Sequence, residues 1–349
     1  MGSKRRKARP MWMWHFRNAE YCLGKILTTL KTLEPNAMAT PELRKWTGID
    51  FNELDIESGA TSNGSSFFTP RHDGTCKISN TGRDPDSVGE DDFTCCRRLR
   101  EAGINRNSGL QMDVAFAFRD YARDLADVYQ FHDEWEYIPE KSQLKGQFSS
   151  SRNSPHGFDV FRGSQIASTR QCHRSVWMTS HNPTDANWPS VSELIVLVSW
   201  MVGAMKSQKA MLSSWKGKSH LPFHHTFPTL VVSSEPRARA RVLYGYFDGK
   251  LRVQFSKAQE LDTPSYIEVM NTLLQWAWPR ARKSTRMIRP PLPTIFESDE
   301  EEEIDLGVVT KLWGIGYLMQ KTFSFVRKGR SFFRARWMES KERYGYQPA

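Results

Sequence analysis

A chain of 349 residues and 40.3 kDa, with a formal net charge of +10, is long enough for one sizeable domain with extensions or for two modest ones. Its hydrophobic fraction of 39% falls below the roughly 45–50% of typical globular domains, which points to a single core with unpacked flanks. The longest apolar run, LIVLVSWMVGAM at 194–205, is shorter than the roughly 20 residues of a bilayer crossing and reads as a buried helix.

The start, MGSKRRKARPMWMWHF, offers no apolar stretch of signal-peptide length before Arg17, and Arg6 stands where a myristoylation signal requires Ser or Thr. Five cysteines, an odd number at unrelated spacings (Cys22, Cys76, Cys95, Cys96, Cys172), argue against a disulfide scaffold. An intracellular setting, cytoplasm or nucleus, is expected.

Residues 1–45 form a basic arm and a short helix. Eight Lys/Arg stand against Glu20 in residues 1–31, and Lys4, Arg5, Arg6, Lys7 and Arg9 match a simple nuclear-import pattern. Cys22, Ile26, Leu30 and Leu33 then recur at helical spacing before Pro35. Residues 46–109 are rich in Gly, Ser, Asn and Asp without lasting periodicity, and loop or disorder is expected there. In 110–135, Val114, Phe118, Tyr121, Leu125 and Val128 recur at spacings of three and four, predicting an amphipathic helix on the core. Its outer face carries Asp113, Asp120, Asp124 and Asp127 interleaved with Arg119 and Arg123, which reads as an ion-paired surface and not as a metal site. Residues 136–186 read as a linker with a short strand near FDVF.

The segment 187–278 carries the strongest signals. Ser190-Val191-Ser192-Glu193 is a capping box that starts a helix whose buried face is Leu194, Leu197, Val198, Met201 and Met205. A β-rich run at 227–233 follows, then two strands flanking Asp248-Gly249, then a helix at about 264–277. The order predicts an α+β fold, with an α-β-β-β-α core and a three-stranded, at least partly antiparallel sheet. With Asp248-Gly249 as a two-residue turn, Tyr244 would face Val253 and Val242 would face Phe255. Beyond it, 279–303 is a basic, proline-rich and then acidic linker, and 304–349 alternates aromatic and basic residues. Once these flanks are set aside, 32–279 holds only −2.

Several motifs fail on inspection. Gly217-Lys218-Ser219 lacks the upstream glycine of a phosphate loop, and Gly314-x-Gly316 lacks the third glycine of a dinucleotide fingerprint. His220, His224 and His225 are separated by Leu221-Pro222-Phe223, which opposes a helical metal pair. No cofactor and no metal ligand is assigned.

Two resemblances follow from these residues. NWPSVSELIVLVSWM, HTFPTLVVSS and RVLYGYFDGKLRVQFSK, within 187–278, are similar to a segment found in hypothetical proteins of filamentous fungi; this implies a domain there and a eukaryotic intracellular setting. The α-β-β-β-α order resembles, more weakly, the core of the PD-(D/E)XK nucleases. That resemblance implies Glu235, Asp248 and Lys250, with Glu193, around a divalent metal, although the leading Pro-Asp of that family is absent. The reading is a non-enzymatic interaction module whose basic flanks meet an import receptor or nucleic acid. The alternatives are a divergent or inactive nuclease, and attachment of the C-terminal tail to an anionic membrane surface.

Overall fold

In the computed structural model the described residues are 9–34, 43, 47–62, 66–78, 108–138, 156–167, 171–181, 185–214, 224–235, 238–285 and 294–295; all lie within the unit Met1–Glu297. In chain order the elements are β1 (Arg9–Pro10), α1 (Met11–Thr32), β2 (Asp50–Glu53), β3 (Phe68–Thr69), α2 (Ser108–Tyr129), β4 (Trp135–Tyr137), β5 (Phe158–Ile166), β6 (Arg174–Ser180), α3 (Val191–Ser214), β7 (Thr229–Glu235), β8 (Arg239–Phe247), β9 (Leu251–Phe255), β10 (Gln259–Glu260), α4 (Tyr266–Ala277), β11 (Arg280–Ala281) and β12 (Thr294–Ile295). The fold is α+β, and the expected α-β-β-β-α run is present as α3-β7-β8-β9-α4.

The sheet is larger than three strands. Eight strands join in the order β2-β9-β8-β7-β6-β5-β4, with β10 beside β8. Pairing is parallel at β2–β9 and β6–β7 and antiparallel elsewhere in that sheet. The parallel β6–β7 step is bridged by α3, a strand-helix-strand crossover. Segments read as linker or loop thus supply working strands: β5 and β6 come from 136–186 and β2 from 46–109. The polar composition of these segments hides apolar anchors, among them Ile49, Leu54, Phe67, Phe68 and Cys76, all buried.

Both faces of the sheet are covered. Successive residues of one strand enter opposite layers: Leu230 and Val232 join Trp177, Val242 and Tyr244 against α2 and α4, while Val231 joins Val176, Met178 and Leu243 against α1 and α3. That double cover explains why β6 is buried along its whole length. It also explains α3, which is buried on all sides from Val191 to Val202 because it sits between the sheet and α1. The face of α2 is Phe118, Tyr121, Ala122, Leu125 and Ala126; Val128, expected on it, is 55% exposed. Trp276 and Trp278 lock the α2–α4 layer by donating Nε1–H to the carbonyls of Ile56 and Ala122 at 2.7 Å each.

The β8–β9 hairpin is offset by one residue from the expected pairing. Phe247 faces Leu251, Tyr244 faces Gln254 and Leu243 faces Phe255, so the tip is the three-residue loop Asp248-Gly249-Lys250, with Gly249 at φ +107. A one-residue slip turns a strand over. Leu251, Val253 and Phe255 therefore lie with Leu243 and Phe247 in the α1–α3 layer, opposite Tyr244 and Tyr246.

Candidate functional site

The capping box forms as its residues dictate. The Ser190 amide donates to Glu193 Oε2 at 2.7 Å, the Ser190 hydroxyl donates to the same oxygen at 3.1 Å, and the Glu193 amide donates to Ser190 Oγ at 3.2 Å. The box holds the Glu193 carboxylate at the start of α3, where its second oxygen, Oε1, lies 3.4 Å from Arg241 Nε on β8. Arg241 also pairs with Glu235, across the β7–β8 ladder, and donates from Nη2 to the Asp185 carbonyl at 2.6 Å. Glu193 and Arg241 have side chains that are 0% exposed, and Glu235 1%.

Two buried carboxylates thus share one guanidinium. Burial, reinforced by the charge of Glu193 and opposed by Arg241, raises the Glu235 carboxyl to about 7. The same two carboxylates raise Arg241, which stays cationic against its own desolvation. Chemically the cluster can hold or release one proton near neutral pH, in the core and behind the first turn of α3.

Of the residues tied to the nuclease resemblance, Glu193 and Glu235 come together and Asp248 and Lys250 do not join them. Glu235 faces Arg239 at one end of β8, while Asp248 follows Phe247 at the other. Eight residue steps at about 3.3 Å each separate those ends by roughly 26 Å. Asp248 and Lys250 are exposed at the hairpin tip, and Asp248 accepts from Arg252 Nε at 2.8 Å, with Asp50 on Arg252 Nη1 at 2.9 Å. The D-x-K pair is a turn closed by an ion-paired arginine, and these residues do not fit a shared metal. Lys4, Arg5, Arg6 and Lys7 and the tail 304–349 lie outside the described residues; Arg9 is in β1, paired with Ile295 of β12.

Other reactive side chains are held for structure. Cys172 donates its thiol to the Thr226 carbonyl at 2.9 Å, and burial pushes it up to about 12. His173 is lowered by burial to about 4 and places its ring edge-on to Phe68. His224 Nδ1 meets Thr285 Oγ1 at 2.7 Å. On α2, Asp120 and Asp124 pair with Arg119 and Arg123, and Asp127 with His132. Among the described residues no group of three or more His, Cys, Asp or Glu could hold a metal ion, and no helix is long and apolar enough to cross a membrane.

Arg241, the centre of the cluster, goes unnoticed in the sequence. The signal available is an arginine two residues into a mostly apolar strand, RARVLYGYF, which must find a buried carboxylate if both faces of that strand are covered. Compared with known proteins, the chain matches no protein-family model, no curated protein and no solved structure.

Proposed function

We propose that this chain is a non-enzymatic intracellular interaction module whose basic flanks serve nuclear import or weak polyanion binding, with Lys4, Arg5, Arg6, Lys7 and Arg9 as the contact residues. Membership of the fungal group that residues 187–278 resemble belongs to the same proposal. One observation supports it above the others: carboxylates of the central sheet are paired with arginines, as in Glu193–Arg241–Glu235 and in Asp248–Arg252–Asp50 at the hairpin tip, while the surplus of cations lies in the flanks. Clustered arginine and lysine bind polyanions by releasing condensed counterions, which needs no built pocket.

The test replaces Lys4, Arg5, Arg6, Lys7 and Arg9 with alanine in the tagged full chain. A loss of nuclear enrichment, or elution from heparin at lower salt, is expected; unchanged localisation together with unchanged elution would remove the proposal.

The reading as a divergent or inactive nuclease is favoured by the α3-β7-β8-β9-α4 order alone, since Glu193 and Glu235 converge on Arg241. DNA cleavage in Mg²⁺ or Mn²⁺ that disappears in Glu235→Gln would put it first. Membrane attachment through 304–349 is tested by flotation of the full chain with phosphatidylserine vesicles.

A further inference from the structure

Four arginines of the described core are buried: Arg71, Arg162, Arg174 and Arg241. Three are closed on acceptors. Arg71 meets Glu134 and the Trp278 carbonyl, Arg174 donates to the Trp200 carbonyl, and Arg241 meets Glu235. Arg162 is the exception. Its Nε is buried with no hydrogen-bond partner, and among the described residues it has no carboxylate at ion-pair distance.

The backbone aims this side chain deliberately. In the β5–β6 ladder Val160 faces Met178 and the next pair is Arg162 with Trp177, so Phe161 is the extra residue of a bulge. A bulge re-aims the side chains beside it. Arg162 is thereby turned toward the α2–α4 layer, where it is 9% exposed. Its guanidinium carbon lies 4.6 Å from the ring centre of Trp278, 5.0 Å from that of Trp177 and 5.9 Å from that of Tyr137. The two indoles meet at 78°, and the guanidinium occupies the corner between them.

Aromatic faces stabilise a cation but accept no in-plane hydrogen bond. The rings therefore hold the guanidinium while leaving its in-plane donors to something else. Burial, with Arg123 and Arg119 of α2, works against the charge of Arg162, while Tyr137 and Asp127 favour it; Asp127 also meets His132 Nε2 at 3.2 Å. A planar, charged fork whose Nε–H has no acceptor among the described residues matches an oxyanion presenting two oxygens in one plane.

We propose that Arg162, clamped by Trp177, Trp278 and Tyr137, is an oxyanion-binding site that takes a carboxylate or a phosphate group on its in-plane N–H donors. The site is separate from the basic arm and does not depend on its role.

The experiment titrates the full chain with inorganic phosphate and, separately, with acetate, at constant ionic strength balanced by chloride. The readout is the arginine Nε–H resonance that disappears in Arg162→Met, with calorimetry in parallel. A saturable shift of that resonance with either probe is expected, and the tighter probe distinguishes a phosphoryl source from a carboxylate source. Chloride alone should leave the resonance unmoved. Absence of saturable binding by both probes, or the same isotherm in Arg162→Met as in the parent, overturns the proposal. If Arg162→Met does not fold, Arg162→Lys keeps the charge and loses the fork. Its binding should weaken at least tenfold, and equal binding by that variant also overturns the site.

Discussion

At the scale of single residues, the molecule concentrates its electrostatics in Arg241 and the two carboxylates around it. A buried guanidinium between two buried carboxylates is costly to create and costlier to break, because removing one partner leaves uncompensated charge in a low dielectric. Arg241→Met is expected to destabilise the chain by about 3–5 kcal/mol in urea unfolding. Glu235 behaves differently, because its carboxyl sits at about 7 in the native state against an ordinary 4.5. The native state then binds more protons than the unfolded state between those values, so the stability this group supplies at low pH is lost as pH rises from about 4.5 to about 7. The swing is on the order of 3 kcal/mol. Glu235→Gln should flatten that part of the stability–pH curve, measured by denaturant melts at pH 5 and pH 8. An unaltered slope would show that Glu235 does not carry the proton.

The scale of the elements is governed by how α3 lies on the sheet. A Cβ placed on Gly163 would fall 1.8 Å from the Trp200 indole, and one on Gly245 would fall 2.9 Å from Leu197. These two glycines are notches through which the helix approaches β5 and β8. Gly163→Ala should cost about 1–3 kcal/mol, by overpacking that a rigid indole cannot relieve. Gly203, within α3, meets no atom closer than 3.6 Å. Gly203→Ala should therefore stabilise by about 0.5–1 kcal/mol through helix propensity. Thermal melts of the two variants, run side by side, should move in opposite directions; a common direction would contradict this packing. The capping box at Ser190 was readable because its bonds span three residues. The β8–β9 register was not. Alternation identifies register only when one face of a strand is polar, and here both faces of β8 are apolar because both are covered.

For the whole molecule, the consequence is that the strands of 187–278 continue into a larger sheet, joined by β6, β5 and β4 on one side and by β2 on the other. Cut there, β7 would lose β6, its parallel neighbour, and the sheet would lose α1 from one face and α2 from the other. The isolated 187–278 fragment is expected to lack a cooperative thermal transition and near-ultraviolet dichroism, whereas a 9–297 fragment should retain both. A cooperative melt of the shorter piece would reverse this view.

By itself the sequence determined the helices, the α-β-β-β-α run at its centre, the capping box and the concentration of charge in the flanks. Each of these is set by contacts within a few positions along the chain, or by composition. Only the tertiary structure decided that the sheet has eight strands, that the Gly- and Ser-rich segments supply β2, β5 and β6, and that Glu193, Glu235 and Arg241 meet while Asp248 and Lys250 stay at a turn. The physical reason is the same in each case. Strand pairing and buried charge compensation join residues far apart in the chain, such as Asp50 with Arg252, and no local periodicity records which distant partner a residue will find.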